Sequence, residues 1–244
     1  MNRSRLPAHF VFAICSLAAV VAPSTAHAQE ERIESSYRWI DRSIRAGPYV
    51  GYVFTSRGNL SQAPGPSPIV GGRVRIRISS PLSFEISAGY GSSDIYVTDP
   101  RLEVPAIVDT TTSSWLLAEA YLQLALTGAR SVSRLQPYVM LGGGILQGLS
   151  EEVADIYALP GLELYRFDIG TTPSIGVGFG LEWDISEHLG LSAEVRDHLW
   201  RFTSPEAFFL LTNLANFADS GVEAPKESFW TNNIDVSATL FYYF

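Results

Sequence analysis

The chain has almost no cysteine. The single one among 244 residues, Cys15, lies in an apolar run near the N-terminus, and Ile14 before it is too bulky for a lipoprotein processing site. Everything beyond that run is therefore without disulfides or thiolate chemistry. Positive charge is also in short supply, with 17 Lys and Arg against 25 Asp and Glu. Nucleic-acid binding calls for a basic patch, so nucleic acid is excluded as a partner. Long hydrophobic runs are missing too. The run Phe10–Val21 falls short of the roughly 20 apolar residues that a spanning helix needs, and no other stretch comes near that length.

That short run reads as an export signal. Arg3 and Arg5 precede it, and Ala26-His27-Ala28 offers a small-x-small cleavage site before Gln29. Residues 1–28 are expected to be a cleaved signal peptide. They hold two of the basic residues and none of the acidic ones, leaving 15 basic against 25 acidic groups. The remaining length suits one all-β domain. An exported chain with no spanning helix can enter a membrane only as strands.

What the chain has in abundance is period-two alternation. In Asn233–Phe244, Ile234, Val236, Ala238, Leu240, Tyr242 and Phe244 share one face, and Asn233, Asp235, Ser237 and Thr239 the other. Seven similar stretches precede it, at about 46–56, 70–78, 82–90, 115–126, 136–146, 172–183 and 188–200. The clearest sets Val74, Ile76 and Ile78 against Arg73, Arg75 and Arg77. Short turns near Ser80, Ser131 and Ser186 alternate with long connections at 57–69, 91–114, 147–171 and 201–231. Short turns at one end and long loops at the other is the pattern of an outer-membrane barrel. The expected fold is all-β: an eight-stranded antiparallel up-and-down transmembrane β-barrel over 46–244. Residues 29–45 form a periplasmic leader, either loosely ordered or a short amphipathic helix carrying Ile33, Tyr37, Ile40 and Ile44.

Alternation alone does not say which face points outward, because a soluble barrel would turn the oily face in. Gly176, Gly178 and Gly180 share the polar face with Ser174 and Glu182. Glycines on a solvent-exposed face only weaken a strand, whereas in a crowded lumen they make room for long charged side chains. The oily face is therefore expected to meet lipid. Trp183, Tyr242 and Phe244 then fall at the short-turn ends as membrane-interface aromatics. The same parity puts Arg73, Arg75, Arg77 and Arg196 in the lumen with Glu85, Glu119, Glu182, Glu194 and Asp235. An eight-stranded barrel is only wide enough to be filled by its own side chains. This set therefore reads first as a charge network that fills the lumen, and second as a narrow ion path along the three arginines.

With Pro137-Tyr138-Val139 leading into Gly142-Gly143-Gly144, the strand Gly176–Trp183, the turn Asp184–Leu189, and Glu194-Val195-Arg196-Asp197, the chain resembles the small outer-membrane β-barrel family. Its relatives include the OmpA-type transmembrane domain, and the resemblance covers about residues 46–244. It implies localisation in the cell outer membrane, contact with outer-membrane lipid and lipopolysaccharide, and recognition by the outer-membrane assembly machinery through Phe244. It also implies a monomer without the peptidoglycan-binding domain of full OmpA-type proteins.

Catalytic signals are thin. Some small barrels are lipid A deacylases using Ser and His, and His198 and Ser204 lie near the outer end of strand seven, but without the His-x-Ser spacing of those enzymes. Neither a metal-ligand cluster, a phosphate loop nor a nucleophile elbow is present, so neither catalytic residues nor a cofactor or metal is expected. In the last loop, Ser204-Pro205-Glu206 starts a helical pattern that carries Phe208, Leu211, Leu214, Ala215 and Ala218. Such an oily helix over 205–218 covers the barrel mouth, lies on lipid or meets a partner. The expected function is an integral barrel with a structural or surface-interaction role and no enzymatic activity. The alternatives are an OmpW-like channel for small hydrophobic compounds and, more remotely, a lipid A-modifying enzyme.

Overall fold

Amphipathic strands need hydrogen-bonded neighbours on both edges, and here the chain closes on itself to supply them. The computed structural model describes residues 37–39, 43–58, 61, 63–99, 106–128, 130–151, 166–210 and 226–244. Eight of its strands build the barrel: β1 Ile44–Thr55, β2 Ser67–Arg77, β3 Leu82–Asp99, β4 Ala106–Ala125, β5 Leu135–Glu151, β6 Thr171–Asp184, β7 Leu189–Thr203 and β8 Ser228–Tyr243. Each pairs antiparallel with the next, and β8 pairs back onto β1. The expected eight-stranded closed barrel is the observed one.

Its stagger can be read from the register. Starting at Phe54, the paired residues run Ile234, Asp197, Val177, Leu141, Leu122, Phe84 and Ile76, and the circuit returns to β1 at Ile44. One turn round the barrel thus descends ten residues along β1. For eight strands that stagger corresponds to a tilt of about 40°.

The outward rows are apolar and exposed, as lipid requires: Val177, Phe179, Leu181 and Trp183 on β6, and Ile234, Val236, Leu240 and Tyr242 on β8. Among the described residues no helix is long and apolar enough to cross a membrane. The strands cross instead.

The strands run further at the long-loop end than alternation indicated, β3 to Asp99 and β5 to Glu151. There the inward face turns apolar or small, so polarity no longer alternates although pairing continues. β1 begins at Ile44, two residues before the expected start. The expected signal peptide, 1–28, lies outside the described residues. Of the leader, Tyr37–Trp39 is extended and pairs with Arg130–Val132 beside the β4–β5 turn, so no helix forms there. Of the expected helix over 205–218, Glu206–Phe209 is a single 3-10 turn with Phe208 buried, and 211–225 lie outside the described residues.

Candidate functional site

Gly71, Gly89, Gly142, Gly176 and Gly180 all face inward, and what lies against them is aromatic. A methyl group added at Gly89 would sit 1.8 Å from the Tyr49 hydroxyl, at Gly176 2.0 Å from the Tyr121 hydroxyl, and at Gly180 2.4 Å from the Tyr138 ring. Tyr49 also crosses Gly71, and Tyr121 also crosses Gly142. Each flattened ring then carries an arginine. The guanidinium carbon of Arg73 lies 3.9 Å from the Tyr49 centroid, that of Arg196 4.6 Å from Tyr121, and that of Arg75 4.7 Å from Tyr138. The glycines therefore make room for tyrosines, and the tyrosines position the arginines by cation–π contact.

The arginines end on carboxylates. Arg75 donates to Glu85 from Nη2 at 2.7 Å, to Glu182 from Nη1 at 2.6 Å and to Glu194 from Nη2 at 2.8 Å. Arg73 Nη1 donates to Glu194 at 2.5 Å and to Thr239 Oγ1 at 2.8 Å, its Nη2 to Ser237 Oγ at 2.9 Å, and Asp235 lies 3.8 Å away. Arg196 bridges Glu194 and Glu85. Gln123 donates to Glu85 at 2.7 Å, and the Tyr138 hydroxyl to Glu194. Arg73, Arg75, Arg196, Glu85 and Glu194 thus form one buried cluster at mid-barrel, with Glu182 below it. Charge-assisted bonds of this kind are strong, and their mutual pairing is what makes burial tolerable. Arg77 lines a recess at the short-turn end with Arg45, Gln123, Gln136 and Tyr138.

Glu119 stands higher, where His198 Nδ1 is 3.0 Å from its Oε1 and Ser174 donates to the same oxygen at 2.8 Å. Asp235 Oδ2 lies 3.9 Å from His198 Nε2. His198 is 1 % exposed, so it belongs to the interior rather than to a solvated rim. Its parity with Glu194 and Arg196 on β7 was the signal for this. Arg45 carries no signal in the sequence, because it precedes the expected start of β1 and the inward face of that strand is ambiguous. It pairs with Glu182, which accepts a further bond from Tyr243 at 2.9 Å. Among the described residues, Arg45 joins the four inward arginines expected from sequence, and Asp184, whose Oδ1 accepts from the Tyr243 hydroxyl at 2.6 Å, joins the five carboxylates.

Above this level the interior turns mainly apolar, with small polar residues such as Ser93, which accepts from Trp115 Nε1 at 3.2 Å. Trp115, Trp200, Leu117, Leu146, Ile69, Val53, Phe167 and Phe202 pack into one buried cluster, with Trp115 edge-on to Trp200 at 5.9 Å and Phe167 edge-on to Phe202 at 5.5 Å. This apolar collar closes the long-loop end.

Trp183, Tyr242 and Phe244 lie outward at the short-turn end, and Tyr242 meets Phe244 edge-on at 5.0 Å. A second outward aromatic set, Tyr52, Phe54, Tyr90 and Trp230, marks the opposite rim. Ser204 and His198 are not brought together: Ser204 Oγ donates to the Lys226 carbonyl at 2.7 Å, while His198 faces Glu119. Among the described residues no group of three or more His, Cys, Asp or Glu is placed to hold a metal.

OprG of Pseudomonas aeruginosa is 13 % identical, aligning 82 % of this chain with 94 % of its own at a TM-score of 0.47. Neisserial surface protein A is 12 % identical, over 86 % of this chain and 98 % of its own, at 0.42. Ail of Yersinia pestis is 11 % identical, over 83 % and 99 %, at 0.37. No curated protein matches the chain at a significant level. The family described as "Outer membrane protein beta-barrel domain" matches residues 13–240. A match through nearly the whole chain, on a closed barrel with an apolar outer face, identifies this protein as a member of the outer-membrane β-barrel domain family, resident in the outer membrane.

Proposed function

We propose that the protein is a plugged, non-enzymatic, monomeric barrel whose role is structural or surface-facing, with any specificity in its long loops. The observation that carries this reading is the locked interior. Paired charges fill the barrel through its middle, and the apolar collar sits over them. An ion entering the charge cluster has to displace a partner from a buried pair, and breaking such a pair costs about 3–5 kcal/mol. Outer-membrane lipid and lipopolysaccharide surround the apolar face. The assembly machinery reads Phe244, which is 70 % exposed at the short-turn rim. Reconstitution into a planar bilayer tests the plug: the expected result is the absence of steady conductance, and a large, steady current overturns it.

A second reading has one observation in its favour. The aromatic lining of the long-loop end, Trp115, Trp200, Phe167, Phe202 and the partly buried Phe229, offers an apolar surface to small hydrophobic compounds passing sideways into the membrane, as in OmpW-type barrels. Deletion of residues 206–218 then abolishes uptake of such compounds while leaving the barrel folded, and unchanged uptake removes this reading.

A further inference from the structure

Among the described residues, one charged side chain interrupts the lower, lipid-facing rows of the outer face. On β6 the outward row is Ile175, Val177, Phe179, Leu181 and Trp183, and on β8 it is Ile234, Val236, Ala238, Leu240 and Tyr242. Between them β7 shows Leu189, Leu191, Ala193, Val195, Asp197 and Leu199. Among the described residues Asp197 is the only charged side chain on the lipid-facing rows below the level of Leu199. It lies about 5 Å beneath Leu199 along the barrel axis, from the strand rise and tilt. A carboxylate facing hydrocarbon is unfavourable, and ionisable groups in such places mark sites.

Asp197 is not isolated. It stands opposite Ile234 in the register, and on the diagonal Asn232 Nδ2 donates to its Oδ2 at 3.2 Å. Its Oδ1 is buried without a hydrogen-bond partner, so the Asn232 amide on Oδ2 satisfies only half of the carboxylate. One diagonal step higher is Arg201, exposed and opposite Trp230, with Nη2 donating to Ser228 Oγ at 3.2 Å. Asp197, Asn232, Arg201 and Ser228 therefore form a polar diagonal that rises out of the apolar band, flanked by Leu199, Ile234 and Trp230.

We propose that this diagonal binds one phosphorylated saccharolipid of the outer leaflet, the acylated disaccharide that anchors lipopolysaccharide. Long loops face outward in outer-membrane barrels, so the Arg201 end lies at the outer-leaflet headgroups. A headgroup phosphate meets the Arg201 guanidinium. Just beneath it, the amide N–H and 3-hydroxyl groups at the roots of the acyl chains donate to Asp197 Oδ2 and to the side-chain amide oxygen Oδ1 of Asn232. The chains themselves lie on Val177, Val195 and Val236. A glycerophospholipid offers the phosphate but only ester carbonyls at that depth. Those are acceptors, which a carboxylate repels. The site thus selects by donors below the headgroup. It rests on the protein being a barrel inserted with its long loops outward.

The test is native mass spectrometry of the full chain in mild detergent, titrated with purified lipid A and separately with phosphatidylglycerol. The wild type, Asp197→Leu and Arg201→Ala are compared. The expected result is one lipid A bound per wild-type chain, at least tenfold weaker binding by either variant, and phosphatidylglycerol at least tenfold weaker than lipid A. Equal lipid A binding by Asp197→Leu overturns the proposal, and so does equal binding of the two lipids by the wild type. A Leu199→Cys variant that forms a disulfide-linked dimer lost on adding Asp197→Leu also overturns it, in favour of a second copy as occupant. Heat-modifiable gel migration of each protein reports the barrel separately: its absence in the wild type strikes the barrel reading itself. Should Asp197→Leu fail to fold, Arg201→Ala, a substitution at the exposed rim, decides the lipid question.

Discussion

Replacing Arg75 by alanine would leave Glu85, Glu182 and Glu194 with one fewer cation among them and would strip the Tyr138 ring of its partner. Removing one member of a buried ionic set costs about 3–5 kcal/mol. Arg75→Ala should therefore lower the urea midpoint of unfolding, followed by heat-modifiable migration, more than it alters bilayer conductance. A glycine beside these rings is equally constrained. A Cβ at Gly142 would lie 2.1 Å from the Ala120 carbonyl oxygen, which is backbone and cannot swing aside, and 2.8 Å from the Tyr121 ring. Gly142→Val should cost about 1–3 kcal/mol, the usual range for overpacking, in the same unfolding assay. The charged residues were legible in sequence because Arg73, Arg75 and Arg77 repeat at period two against aliphatics. The tyrosine seats were not. Tyr121 rests on glycines one and two strands away, and only the register of β4, β5 and β6 shows which ones.

Strands differ along their length more than between one another. β7 carries Ser192, Glu194, Arg196 and His198 inward through the polar levels, then Trp200 and Phe202 into the collar, while its outward row meets lipid throughout its lower part. The switch explains what the sequence concealed. Once inward residues turn apolar, as Ile69 on β2 and Leu146 on β5 do, both faces are oily and alternation vanishes. It also separates two kinds of damage. Trp200→Ala empties a fully buried site and should cost about 3–5 kcal/mol. Phe179→Arg puts a cation on the exposed row of β6, well within the apolar band, and should cost about 2–4 kcal/mol in bilayers. In detergent above its critical concentration, where a headgroup can reach the new charge, the second penalty should shrink while the first persists. Equal losses in both media would contradict this assignment of faces.

Taken as a whole, the molecule has one end of its interior closed by aromatics and the other lined by arginines. Water should reach the charge cluster from the short-turn end alone. A membrane-impermeant arginine reagent should therefore modify Arg45 or Arg77 only when supplied on that side of a reconstituted bilayer. Modification from the long-loop side would show that the collar opens. Lipid A mass spectra from cells with and without the protein should be identical under the non-enzymatic reading, and a shifted acyl-chain mass would restore the enzyme alternative. Localisation and closure were readable because strand number, turn lengths and face alternation all bear on them. The occupant of any surface site was not, because the loops repeat no pattern that names a ligand.

The pairing of β8 with β1 has a kinetic consequence. It joins Asn233 to Thr55, 178 positions apart, and Tyr242 to Ala46. Contacts at such separation carry the heaviest loop-closure cost and make folding slow. The six seams among β1 to β7 can form while later strands are still being delivered, but this one waits for β8. Until then two strand edges and an apolar face are open to other chains. The newly exported polypeptide therefore depends on being held apart from its copies for as long as the last strand takes to arrive.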